Sequence, residues 1–212
     1  MIEALSTEPR PEEMVAALGS RFFVTETAIK TFSVGYPIQA PLDALLTLRR
    51  QHGLTAANVE RIVARLPEDG AKVVNGRAMP DVNIQYVLAV GLLDGAVSFA
   101  DSHSFERMKD PAVQAVARRV ELVADRSLMV PDAPRSGLVE VTLRDGRRVS
   151  HFTRHAPGTK ENPLDTDGIN AKVRDLMAPV LGAQRTDEVI RRVHALEQVE
   201  NIRDVVRALL TV

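Results

Sequence analysis

The chain has 212 residues, of which 45% are hydrophobic and 26% charged, with a formal net charge of −1; that is enough for one large or two small globular domains with a core of their own. Its 27 Lys and Arg are interleaved with 28 Asp and Glu, which leaves no electrostatic footprint for nucleic acid or an anionic membrane. The absence of cysteine excludes disulfides, Cys-ligated zinc and Cys-held iron–sulfur clusters, so any chemistry uses oxygen and nitrogen groups.

The N-terminal "MIEALSTEPRPEEMVAALG" lacks the basic, apolar and small-residue zones of a signal peptide, and no run approaches a membrane span. A cytoplasmic protein is expected. "STEPRPEE" reads as a polar linker that follows something else. A helical turn closed by Gly19 comes next, then a strand over 22–25 predicted from Phe22, Phe23 and Val24. Pro41, the apolar face of Leu42, Leu45, Leu46 and Leu48, and Gly53 define a helix with its start and stop. "VERIVARLP" sets Ile62, Ala64 and Leu66 against Arg61, Val63 and Arg65, a strand ending at Pro67.

Asp81 is the candidate cap of "VNIQYVLAVGLLDG", whose apolar residues nearly encircle the helix before Gly95 ends it. Asp110 and Pro111 open a compact helix over "PAVQAVARRV", and "VELVAD" predicts a strand. "GLVEVTLRDGRRVSHFTRH" alternates Val139, Val141 and Leu143 on one face, turns at Asp145 and Gly146, and alternates back as a hairpin. "HAPGTKENPLD" is rich in turn formers and reads as a loop in which Lys160 and Glu161 are solvated. From Asp165 onward the period is helical, with three helices over "TDGINAKVRDLMAPVLG", "TDEVIRRVHALEQV" and "NIRDVVRALL" that start at Thr or Asn. Central strands flanked by helices, one antiparallel hairpin and no regular βαβ alternation predict an α+β fold, an antiparallel sheet flanked by helices and followed by C-terminal helices.

Walker A, G-x-G-x-x-G, H-E-x-x-H and G-x-S-x-G motifs are all missing, so no metal or cofactor is expected. No two of the five histidines stand four apart on a helix, as metal ligands would. His151 and His155, on the last strand and its end, are better read as exposed residues of a hairpin edge than as a metal pair. His52 and His194 fall on Arg-rich helix surfaces. Tyr86 lies in the most apolar helix, where its phenol needs a partner, and a backbone carbonyl is the simplest one. Lys30 stands next to aromatic and apolar residues in a chain with five lysines, where a snorkelling surface lysine is the plain reading.

The order Lys30, an aromatic, a Pro/Gly-rich approach to "PLDALLTLR", "ANVERIVARLP", "MPDVNIQYVLAVGLLDG", "DPAVQAVARRVELVAD", "VEVTLRDGRRVS" and "GTKENPLDTDGINAKVRDL" resembles the MmgE/PrpD family. That family includes 2-methylcitrate dehydratase, cis-aconitate decarboxylase and an iminodisuccinate epimerase. The resemblance starts at about residue 15 and covers the C-terminal half of a member; its most specific pieces are "YVLAVGLLDG", "VTLRDGR" and "ENPLD". Members begin with a large helical domain, continue into a smaller α+β domain and return to the helical part at the end. The resemblance therefore implies a linker and lead-in over 1–30, a lid-like α+β domain over 31–160, and helices over 161–212 that pack on a helical domain or separate subunit.

In the family the active site is a cleft between the two domains, with Asp and His from the helical one and Lys, His and Tyr from the other. On that pattern Lys30 and Tyr86 are the catalytic candidates, and Tyr36 and Gln39 the substrate-binding ones. Members carry a segment like Tyr-Pro-Cys-Cys-Arg-x-Thr-His-Pro-Ala-Ile-Asp; here the same places run from Phe32 to Asp43, with Tyr36 where the Arg is expected and Gln39 where the His is expected. A Gln amide cannot exchange a proton at neutral pH, and a Tyr hydroxyl replaces a bidentate clamp with one contact. The resemblance implies a lyase, dehydratase-like, acting on a small (poly)carboxylic acid without a cofactor, as an oligomer of copies of this chain. Two other readings stay open: an epimerase or isomerase of the same family, or a non-catalytic ligand-binding scaffold subunit.

Overall fold

The computed structural model describes residues 7–203, 205 and 206. Strands β1 (Val59–Leu66), β2 (Val120–Ala124), β3 (Gly137–Leu143) and β4 (Arg148–Thr153) form one sheet in the order β2-β1-β3-β4. β3 is antiparallel to both β1 and β4, as the hairpin requires, whereas β1 and β2 run parallel. The crossover between that parallel pair carries α2 (Glu68–Val74), α3 (Ile84–Asp94), α4 (Phe99–Ser102) and α5 (Pro111–Ala117). Helix α1 (Gln39–His52) precedes the sheet, and α6 (Thr166–Leu181) and α7 (Ala183–His194) follow it.

The α+β architecture follows from the period-2 pattern. Ile62, Ala64 and Leu66 of β1 and Val139, Val141 and Leu143 of β3 are buried on one face, in one core cluster with Leu42, Leu45 and Leu48 of α1 and with Val87, Leu88 and Val90 of α3. Gly53 and Gly95 end α1 and α3 in left-handed conformations that a side chain disfavours. Gly137 starts β3 hard against α1, since a Cβ there would lie 2.7 Å from Pro41 Cδ. The opposite face of the sheet is open and charged. It carries an Arg61–Glu121 ion pair and an Arg65–Glu140 pair of 2.6 Å.

Several expectations change in the folded chain. The 22–25 strand is instead the 3-10 turn Phe23–Glu26, because the Thr25 and Thr27 hydroxyls donate back to the Phe22 and Val24 carbonyls and close the backbone on itself. The cap of α3 is Asn83, whose Oδ1 accepts the Tyr86 N–H at 2.9 Å; Asp81 sits one turn earlier, in the 3-10 helix Pro80–Val82. Asp165 caps α6 by accepting from the Gly168 N–H. Helix α7 begins at Ala183 with Thr186 already inside it, the hydroxyl donating to the Gly182 carbonyl at 2.9 Å. The helix expected from Asn201 lies largely outside the described residues; 202, 203, 205 and 206 are helical. Among the described residues, no helix is long and apolar enough to cross a membrane.

Candidate functional site

Two loops, 29–38 and 155–162, carry most of the residues of interest. They are laced together through the backbone carbonyls of the second loop. The Ile29 N–H donates to the Gly158 carbonyl at 2.8 Å, and the Thr31 hydroxyl donates to the Pro157 carbonyl at 2.7 Å. Gly158 adopts φ +92°, and a Cβ there would overlap the Ile29 carbonyl, so only glycine permits this approach. Within the second loop the Gly158 N–H donates to the Asn162 carbonyl at 2.7 Å, and Lys160 reaches Glu26 at 3.6 Å.

Gln39 fixes the first loop from behind. It is 1% exposed, its Nε2 donates to the Phe32 and Val34 carbonyls at 2.8 and 3.2 Å, and its Oε1 accepts the Phe32 N–H at 3.1 Å. This amide braces the loop. The Gly35 N–H donates to the Asp81 carbonyl at 2.7 Å and ties the loop to the segment before α3. Tyr36, on the same loop, is half-buried and lines a cavity of about 480 Å³ with Asp132, Arg135, Arg154, His155 and Thr159. Both arginines of that cavity are matched by carboxylates: Arg154 hydrogen-bonds Asp132, Arg135 lies 2.6 Å from Asp69, and each acid is held below its usual pKa first by that bond. Thr159 adds a buried hydroxyl that has no partner among the described residues.

Lys30 is exposed, three residues before Ser33, whose Oγ accepts from Lys172 Nζ of α6 at 3.5 Å. Partial burial lowers the pKa of Lys172 first, the Asp175 charge opposes it, and the Lys30 charge, the smallest of the three effects, lowers it further. Tyr86 is far more enclosed, 2% exposed, and its hydroxyl donates to the Asp101 carbonyl at 2.6 Å. Burial, then the Asp101 carboxylate, pushes this phenol up to about 12, with Arg107 opposing and Asp94 adding to the rise. The route from Tyr86 to the Lys30 loop runs through α4 and α6. Asp101 belongs to α4, the Phe99 N–H at the start of α4 donates to Asp175 of α6 at 2.9 Å, and Lys172 lies one turn before Asp175. Sequence reasoning passed over Lys172, Thr159 and the cavity arginines because their significance lies in what faces them; the one signal for Lys172 was the scarcity of lysine.

Residues 32–198, more than three quarters of the chain, match the MmgE/PrpD C-terminal domain. The chain belongs to the MmgE/PrpD family. Cis-aconitate decarboxylase of Mus musculus is 27% identical over 202 residues, covering 87% of this chain and 39% of that protein. Cis-aconitate decarboxylase of Aspergillus terreus is 25% identical over 223 residues, covering 94% of this chain and 44% of that protein. The chain thus spans less than half the length of these curated relatives. Within the matched domain lie Tyr36, Gln39, Tyr86 and Lys172, whereas Lys30 precedes its first residue by two positions.

Proposed function

We propose that this chain is the C-terminal part or subunit of an MmgE/PrpD-type lyase that acts on a small (poly)carboxylic acid. The observation that carries the reading is the loop of Lys30: braced from behind by Gln39 and pinned to 157–158, it presents a lysine with no carboxylate within 4.0 Å among the described residues. In this mechanism a base from a helical domain or subunit removes a proton from a carbon next to a carboxylate or carbonyl. Lys30 binds the carboxylate and stabilises the developing enolate charge electrostatically. Tyr86 stays protonated throughout the neutral range, so it acts as a donor to the intermediate or leaving group, by exchanging the Asp101 carbonyl for the reacting molecule. The Tyr36 hydroxyl contacts the substrate, and Gln39 serves by holding the loop that presents it. Loss of water completes the reaction and calls on no cofactor; decarboxylation or reprotonation of the same intermediate are its relatives in chemistry.

The experiment is a proton-exchange assay on small di- and tricarboxylates, with this chain co-purified with a helical MmgE/PrpD N-terminal half. Exchange that disappears in Lys30→Ala and Tyr86→Phe supports the lyase. A stable complex with no exchange on any of these acids supports the second reading, a ligand-binding scaffold subunit. That reading is favoured by Gln39 and Tyr86, whose side chains are both satisfied by backbone groups of the chain itself.

A further inference from the structure

We infer that Lys172 is the second cation of this site, and that with Lys30 and the Ser33 hydroxyl it receives one carboxylate of a small di- or tricarboxylic acid. The inference rests on the lyase reading for the class of ligand and on the structure for the residues. Lys172 projects from α6 to within 3.5 Å of Ser33 Oγ, the longest of the contacts that tie this loop to its surroundings. Among the described residues, Lys30, Lys172 and the distant Lys109 of the segment before α5 have no carboxylate within 4.0 Å, whereas Lys72 and Lys160 are matched by Glu68 and Glu26. The nearest acid on the helix, Asp175, already accepts the Phe99 N–H through Oδ2.

The Lys30 charge acts on Lys172, less strongly than that of Asp175, and the loop that carries Lys30 is pinned on both sides. It is held on one side by the Pro157 and Gly158 carbonyls, which accept from the Thr31 hydroxyl and the Ile29 N–H, and on the other by the Gln39 side-chain amide. A carboxylate bound by both lysines offsets their repulsion, replaces lost hydration with charge-assisted hydrogen bonds, and meets a loop already held in position. The charged groups acting on Lys172 are Lys30 on the facing loop and Asp175 on its own helix. Since burial and Lys30 both lower the Lys172 pKa, an anion bound there raises it, and binding weakens as pH rises through the lowered value. A phosphate group would satisfy two ammoniums and a hydroxyl as well, so the test separates the two.

The test is calorimetric titration of the 212-residue chain with citrate, acetate and inorganic phosphate, using the wild type, Lys172→Met, Lys172→Gln, Lys172→Arg, Lys30→Met and, as a control, Lys72→Met. The expected result is citrate binding that falls at least tenfold in Lys172→Met, Lys172→Gln and Lys30→Met, persists in Lys172→Arg and Lys72→Met, and exceeds that of acetate and phosphate. Both uncharged Lys172 variants should melt at or above the wild-type temperature, since they remove a charge that burial and Lys30 disfavour. Citrate binding that is absent from the wild type, indifferent to Lys172, or outcompeted by phosphate overturns the inference. Lysine-dependent binding without proton exchange in the co-purified complex leaves the inference standing and sinks the lyase reading; exchange with kcat/KM untouched in Lys172→Met does the reverse.

Discussion

Helices α3 and α6 both carry apolar side chains along their length, yet they end in opposite situations. Eight of the eleven residues of α3 are buried, in one core with α1, α5 and the sheet. None of the sixteen residues of α6 is buried; Leu176 is 37% and Val180 82% exposed. The region around α3 is a finished core, while the C-terminal helices expose apolar side chains of the kind that a partner surface covers. The same division runs through the candidate site. Gln39 and Tyr86 belong to the finished region and make their hydrogen bonds to backbone, whereas Lys30 and Lys172 stand where the Ser33 loop meets α6, with no carboxylate within 4.0 Å among the described residues.

The contrast is broken most directly in the two helices. Leu88→Ala, at a site with 0% exposure, is expected to cost about 2–5 kcal/mol as a lowered denaturant midpoint. Leu176→Ala is expected to change the stability of the isolated chain by no more than about 0.5 kcal/mol and to weaken association with a helical partner. Equal costs in the isolated chain would erase the distinction.

Next in size is the alkaline limb of stability. The Tyr86 pKa is raised from 10.0 to about 12, so the folded chain holds the proton more tightly than the unfolded one. The stability is present in full below pH 10 and falls between pH 10 and about 12, by about 3 kcal/mol. Tyr86→Phe should flatten that limb; a variant that keeps it assigns the effect to another group.

Smaller effects sharpen the division within the site. Gln39→Ala removes three hydrogen bonds from a buried amide and is expected to cost about 1–3 kcal/mol. Amide exchange should accelerate at Phe32 and stay slow at Ile62 in β1; uniform acceleration would mean that Gln39 holds the whole core and not the loop. The smallest effect belongs to the open sheet face. Arg61→Ala breaks an exposed pair with Glu121 and is expected to cost less than about 1 kcal/mol, most of it lost in high salt.

How much could be read beforehand depended on range. The alternation of Ile62, Ala64 and Leu66, the Asp145–Gly146 turn, Asp110 and the stops at Gly53 and Gly95 all sit within a few residues of what they determine, and the chain folds as they indicate. The 22–25 strand misled because β propensity describes a residue that has a neighbouring strand, and here two threonine hydroxyls closed a turn first. The cap of α3 moved from Asp81 to Asn83 because only Asn83 can accept from Tyr86 while donating to the Arg77 carbonyl at 2.6 Å. In the site, the order of Lys30, Tyr36, Gln39 and Tyr86 was legible as a family pattern, but not the direction in which any of them faces.

By itself, the sequence determined the α+β class, the buried character of α3, the hairpin and the membership of a family, because each is written in short-range periodicity or in the linear order of motifs. Only the tertiary structure decided that β1 and β2 pair in parallel, that Gln39 turns inward to brace a loop, that Tyr86 binds the Asp101 carbonyl, and that Lys172 comes within reach of Ser33. The physical reason is the same in every case. A hydrogen bond or a charge acts over a few ångströms in space, and the groups that meet here are separated by up to 139 positions along the chain.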